Sequence, residues 1–136
     1  MSGVRLTFEV LFSVSSTQAD EKDLGNGEYS VRTDAAEEGG SWKTTVAAAA
    51  SDLEIRLDNI ANVIFLFLKL EPKEETDPIP EVTVKINDVA NTPFTLKPPS
   101  DKKTGMMLLT TDGLTALYVS NGGTEDVKLT VVAAGD

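Results

Sequence analysis

Apolar and polar residues alternate one for one over most of the last third of the chain. Val82, Val84 and Ile86 are separated by Thr83 and Lys85, and Val127, Leu129 and Val131 by Lys128 and Thr130. A period of two sends successive side chains to opposite faces of an extended backbone, so each run predicts a half-buried strand. Pro, Gly, Asn and Asp bound the runs, as they do antiparallel strands. Strands are expected at Glu81–Asn87, Pro93–Lys97, Met106–Thr111, Leu114–Asn121 and Val127–Val132.

Earlier in the chain, Val4, Leu6, Phe8, Val10 and Phe12 predict a first strand over about Val4–Val14. Arg5 ahead of apolar residues, with Ser16–Ala19 beyond, has the outline of a secretory leader. Glu9 interrupts it, however, and the unbroken run Val10–Phe12 is too short for a leader's apolar core. The strand is the reading adopted. Ser15 to Gly40 is polar and reads as a long loop, with a turn at Leu24–Gly27, a short strand around Tyr29 and Val31, and a loop at Ala35–Gly40.

Trp42–Val46 resumes the strand pattern. Ala47–Ala50 has helix propensity without periodicity, enough for one helical turn. Leu53, Ile55 and Leu57 alternate with Glu54 and Arg56 as a strand, and Asp58-Asn59 makes a turn. Ile60–Leu70 is apolar at both parities, which predicts a strand covered on both faces, by core on one side and by another surface on the other. Glu71–Pro80 reads as a solvated hairpin loop and Lys97–Gly105 as a basic loop. Asp112-Gly113 and Asn121–Gly123 read as tight hairpin turns. No segment carries a helical stripe, and no repeat of solenoid period is present.

Together these elements predict a single all-β domain over residues 1–136, an antiparallel β-sandwich of jelly-roll type with eight or nine strands. Residues 42–135 supply enough strands for a closed sandwich. Residues 1–40, a strand plus a long loop, are therefore expected either to serve as an attachment arm that adds to a neighbour's sheet edge or to supply, with Val4–Val14, the first strand of the chain's own sandwich.

Composition narrows the chemistry. The 136 residues include no Cys and no His, so the best nucleophile, the commonest general base and the commonest metal ligand are missing. Twenty-two acidic residues against 12 basic ones give a net charge of −10. That balance argues against nucleic acid and anionic membranes as partners, because both need clustered Lys and Arg. It favours solubility, or an acidic surface meeting a basic patch. The longest apolar run, Val63–Leu68, is far short of the ~20 residues of a spanning helix.

Individual motifs add little. Gly25-Asn26-Gly27 is similar to the start of a phosphate loop but lacks a third Gly and a strand-to-helix context, so it reads as a turn. Asp20–Asp23 and Glu71–Asp77 are acidic, yet neither has the alternating spacing of a calcium loop. Glycosidase chemistry needs one defined carboxylate pair, and nothing selects one. Trp42, the only tryptophan, is expected in the core, and with only Tyr29 and Tyr118 beside it a sugar-binding aromatic platform has weak support. No residue is nominated as catalytic, cofactor-binding or metal-binding, no cofactor is expected, and the chain does not read as an enzyme.

The strand order, with Leu53–Leu57, Ile60–Leu68, Val82–Asn87, Pro93–Leu96, Leu114-Thr-Ala-Leu-Tyr-Val-Ser-Asn121 and Val127-Lys-Leu-Thr-Val-Val-Ala-Ala134, resembles the small β-sandwich structural proteins of tailed bacteriophage virions. The likeness covers roughly residues 42–135. It implies a capsid decoration (cement) protein that bridges subunits of the major capsid protein as a homo-oligomer. It also implies residence in the virion after synthesis in the host cytoplasm, without secretion. A tail or baseplate accessory protein is the alternative within that class, and a carbohydrate-binding sandwich module the alternative outside it. The family carries no functional residues that transfer by position.

Overall fold

The computed structural model describes residues 6–15, 23–33, 38–57 and 60–135. In order along the chain the strands are β1 (Leu6–Ser15), β2 (Asp23–Thr33), β3 (Glu38–Val46), β4 (Leu53–Glu54) and β5 (Val63–Pro72). They continue with β6 (Val82–Ile86), β7 (Phe94–Leu96), β8 (Gly105–Leu114), β9 (Leu117–Ser120) and β10 (Val127–Gly135). No helix occurs among the described residues. Eight strands form two four-stranded antiparallel sheets, ordered β3-β10-β5-β8 and β4-β9-β6-β7, and β1 and β2 form a separate two-stranded ribbon.

The pairings have a simple logic. β3 lies beside β10, β4 beside β9, β5 beside β8 and β6 beside β7. Eight strands thus behave as one long hairpin folded at the β6–β7 turn. The hairpin then rolls up so that β10 meets β5 and β9 meets β6. That wrapping is the jelly roll, and the all-β sandwich read from the alternation is the observed architecture.

The core lies between the two sheets. From one come Leu66, Leu68 and Leu70 of β5 with Leu129, Val131 and Ala133 of β10. From the other come Val82 and Val84 of β6 with Leu117 and Val119 of β9. Each of these side chains is almost wholly buried, and removing a Leu or Val from water is worth roughly 1.5–3 kcal/mol. Trp42 packs against this core as expected, although its buried indole Nε1 has no hydrogen-bond partner among the described residues.

Several local expectations need correction. Gly25, Asn26 and Gly27 are not a turn. They lie inside β2, opposite Val14, Ser13 and Phe12, so most of the supposed loop from Ser15 to Gly40 is strand. Glycine tolerates extended backbone as readily as a turn, and the paired strand β1 decides between them. Glu71–Pro80, Asp112-Gly113 and Asn121–Gly123 do not close hairpins, because β5 and β6, β8 and β9, and β9 and β10 lie in different sheets. Asp112-Gly113 lie inside β8, close to its end, while the other two segments carry the chain across the sandwich. Ala47–Ala50 is a turn closed by Ala50 N–H donating to the Ala47 carbonyl at 3.1 Å. The strand expected at Leu53–Leu57 is shorter, with ladder pairs at Leu53 and Glu54 and one further bond from the Ile55 N–H to the Leu117 carbonyl at 2.8 Å, though Ile55 and Leu57 are buried as the alternation required. The turn expected at Asp58-Asn59 lies outside the described residues.

Candidate functional site

Three places in the molecule gather enough polar or apolar groups to be weighed as sites. The first is a hydrogen-bonded cluster on the outer face of the β4-β9-β6-β7 sheet. Lys85 Nζ lies 3.0 Å from Asp52 Oδ1. The Ser120 hydroxyl accepts from the Asp52 N–H at 2.8 Å and donates to Asp52 Oδ1 at 3.4 Å. Ser, Lys and Asp can make a nucleophile with its base, and their spacing in sequence gave no sign that they meet. Here the serine oxygen is committed to the Asp52 amide, and the carboxylate that would take its proton is already paired with an ammonium. The cluster fastens the chain entering β4 to β6 and β9, and Asp52, with φ of 47°, is held in its turn by the contact.

The second place is a groove of about 590 Å³ at one end of the sandwich, between the β5–β6 and β9–β10 connections. Pro78, Ile79, Pro80, Val82 and Val127 give it apolar walls, and Asp77, Glu81, Glu125 and Asp126 an acidic rim. Some of those carboxylates have structural partners. Asp126 Oδ1 accepts from the Ala48 N–H at 2.9 Å, and its other oxygen lies 3.6 Å from Lys73 Nζ. Asp77 Oδ2 accepts from the Glu74 N–H at 3.0 Å, and Lys103 Nζ donates to the Asp77 carbonyl.

At the base of the groove sits Asn121, the one buried polar side chain among the described residues. Its Nδ2 donates to the carbonyls of Val46 at 3.2 Å and Glu125 at 2.9 Å, and its Oδ1 accepts from Gly123 N–H at 3.0 Å. The groove is therefore rigid at its floor. Among the described residues no aromatic side chain lines it. Among the described residues no group of three or more His, Cys, Asp or Glu is placed to hold a metal ion. Of the two acidic segments, Glu71–Asp77 forms part of this end of the molecule, while Asp20–Lys22 lies outside the described residues. Tyr118 stands across from Lys85 and Glu54 on the other sheet's outer face, away from Trp42.

The third place is the outer face of the β3-β10-β5-β8 sheet. By register, Phe65, Phe67 and Lys69 of β5 share it with Thr130, Val132 and Ala134 of β10 and with Met106, Leu108 and Thr110 of β8. By composition this outer face is largely apolar, and Met106 and Leu108 at its β8 edge are exposed. The sequence signal for it was the apolar run at both parities, and Phe65 and Ala134, both fully buried, agree with that reading. No protein-family model matches the chain, and no curated protein matches it.

Proposed function

We propose that the chain is a structural protein of a tailed-bacteriophage virion, a capsid decoration protein that binds the major capsid protein as a homo-oligomer and bridges its subunits. The observation that carries the reading is the rolled eight-stranded hairpin. The jelly roll is a recurrent architecture of viral capsid domains, as it is of lectins. The polar groups brought together by the fold support a mechanical role over a chemical one, since they tie strands and turns to one another. The acidic rim of the end groove and the net charge of −10 suit docking on a basic patch while keeping free copies apart.

Cementing needs no single strong contact. Several weak contacts from one copy to two or more subunits act together, because the second is made at high effective concentration. We assign residues 1–40 and the acidic end to those contacts. The lectin reading draws on the same architecture, but the described residues of the groove include no aromatic side chain on which a sugar ring could stack.

Separating purified virions of the encoding phage into heads and tails, and quantifying this chain in each by mass spectrometry, tests the reading. A copy number in heads comparable to that of the capsid subunit is expected. Recovery with tails would shift the role to a tail accessory, and absence from virions would refute the proposal.

A further inference from the structure

Phe65 and Ala134 have no exposed surface, yet both stand on the outer face of their sheet, on its two central strands. Ile64, Phe67 and Val132 pack beside them, but these too belong to β5 and β10 and so do not lie above the sheet. A phenylalanine ring on a bare outer face keeps part of its surface in water. Complete burial requires a further layer, and the other eight-strand elements are already committed to the sandwich.

Two strands stand outside the sandwich sheets: β1 and β2 pair with each other as a separate ribbon. An isolated two-stranded hairpin is marginal in water and needs an apolar face against something. Its register places Leu6, Phe8, Val10, Phe12 and Val14 on one face, with Tyr29 and Val31 opposite Val10 and Phe8. Thr7, Glu9, Leu11 and Ser13 fall on the other face with Arg32, Ser30, Glu28 and Asn26. One side of the ribbon is thus apolar and the other mostly polar.

The tether decides whose ribbon it is. Four residues separate Thr33 from Glu38, a stretch that reaches at most about 17 Å. Gly39 pairs with Ala134, and Ala134 with Phe65. At the usual strand spacing the buried spot therefore lies about 5–10 Å from the start of β3. A ribbon held that close meets its own sheet at an effective concentration in the millimolar range, which ribbons of other copies do not reach at ordinary dilution.

We propose that the outer face of β5 and β10 is a docking surface for an amphipathic two-stranded ribbon, and that its occupant is the chain's own β1–β2 ribbon, laid apolar face down as a third layer. The layer stops short of the sheet edge, where Met106 and Leu108 of β8 remain 65% and 41% exposed. Contacts made by residues 1–40 with a capsid then come from the ribbon's polar face and its strand edges.

The lack of cysteine makes the test clean. In the full-length protein, Phe8→Cys, Val10→Cys or Phe12→Cys is combined with Val132→Cys, and Glu9→Cys with Val132→Cys serves as the control. Each is treated with a short bismaleimide at micromolar protein concentration. At least one apolar-face pair is expected to link within a single chain, with the control linking far less. Links that join two chains, or no link from any apolar-face position, would overturn the assignment. A second variant, Val132→Asp, guards against cysteine artefacts. It should speed amide exchange in β1 and β2 at least tenfold while β6 and β9 stay protected, and unchanged exchange in the ribbon would refute the docking.

Discussion

Asparagine does at single positions in this fold what charge pairs do in others. Asn62 and Asn87 hold the corner after β8 from two sides. Asn62 Oδ1 accepts from the Gly113 N–H at 2.8 Å, and Asn87 Nδ2 donates to the Gly113 carbonyl at 2.9 Å. Gly113 has φ of +95° with nothing within 4 Å of where a Cβ would stand, so an alanine there is strained without being crowded. Gly113→Ala should cost about 1–2 kcal/mol, whereas Gly122→Ala, also in open space but without a positive φ, should stay within about 0.5 kcal/mol. Urea denaturation followed by Trp42 fluorescence measures both, and equal effects would contradict the backbone argument. Asn121→Ala strands two carbonyls and one amide at a buried site. It should lower the unfolding free energy by about 2–3 kcal/mol, and a midpoint indistinguishable from wild type would show that water or relaxation replaces those bonds.

The positions of the strands were legible because burial leaves a period of two in Val82–Ile86 and Val127–Val131, and leaves Val63–Leu68 apolar throughout. Their connections were not. Asp112-Gly113 and Asn121–Gly123 carry the residues of a hairpin turn, but the same freedom of backbone serves a corner between sheets, and only long-range pairing tells the two apart. Only the part of β2 around Tyr29 and Val31 was legible, because Gly25, Asn26 and Gly27 interrupt the alternation of its first half, which is paired with β1. The Asp52–Lys85–Ser120 cluster was illegible for a related reason, since its members stand far apart in sequence and meet only through the β4–β9 and β6–β9 pairings. Among the strands, β8 is a long sheet edge with no charge from Gly105 to Thr111, a liability for edge-to-edge association. Met106→Lys and Leu108→Lys should each change stability by no more than about 0.5 kcal/mol while slowing aggregation in concentrated solution. Light scattering and thermal melts together check this, and a large stability loss would mean that the edge is already covered.

Under the proposed function, the whole molecule is a scaffold whose work is done on its surfaces. A strand-only far-ultraviolet circular dichroism spectrum is expected, because the described residues contain no helix. Chelating divalent cations should leave the melting temperature unchanged, because a native-state ligand would otherwise stabilise the fold by mass action. A rise of several degrees with calcium would argue for a ligand-binding module. The proposal that these surfaces cement a shell is tested most directly by the temperature at which capsids open. Purified chain added to capsids that lack it should co-sediment with them and raise the opening temperature by several degrees. Capsids that neither bind the chain nor gain heat resistance would contradict the account.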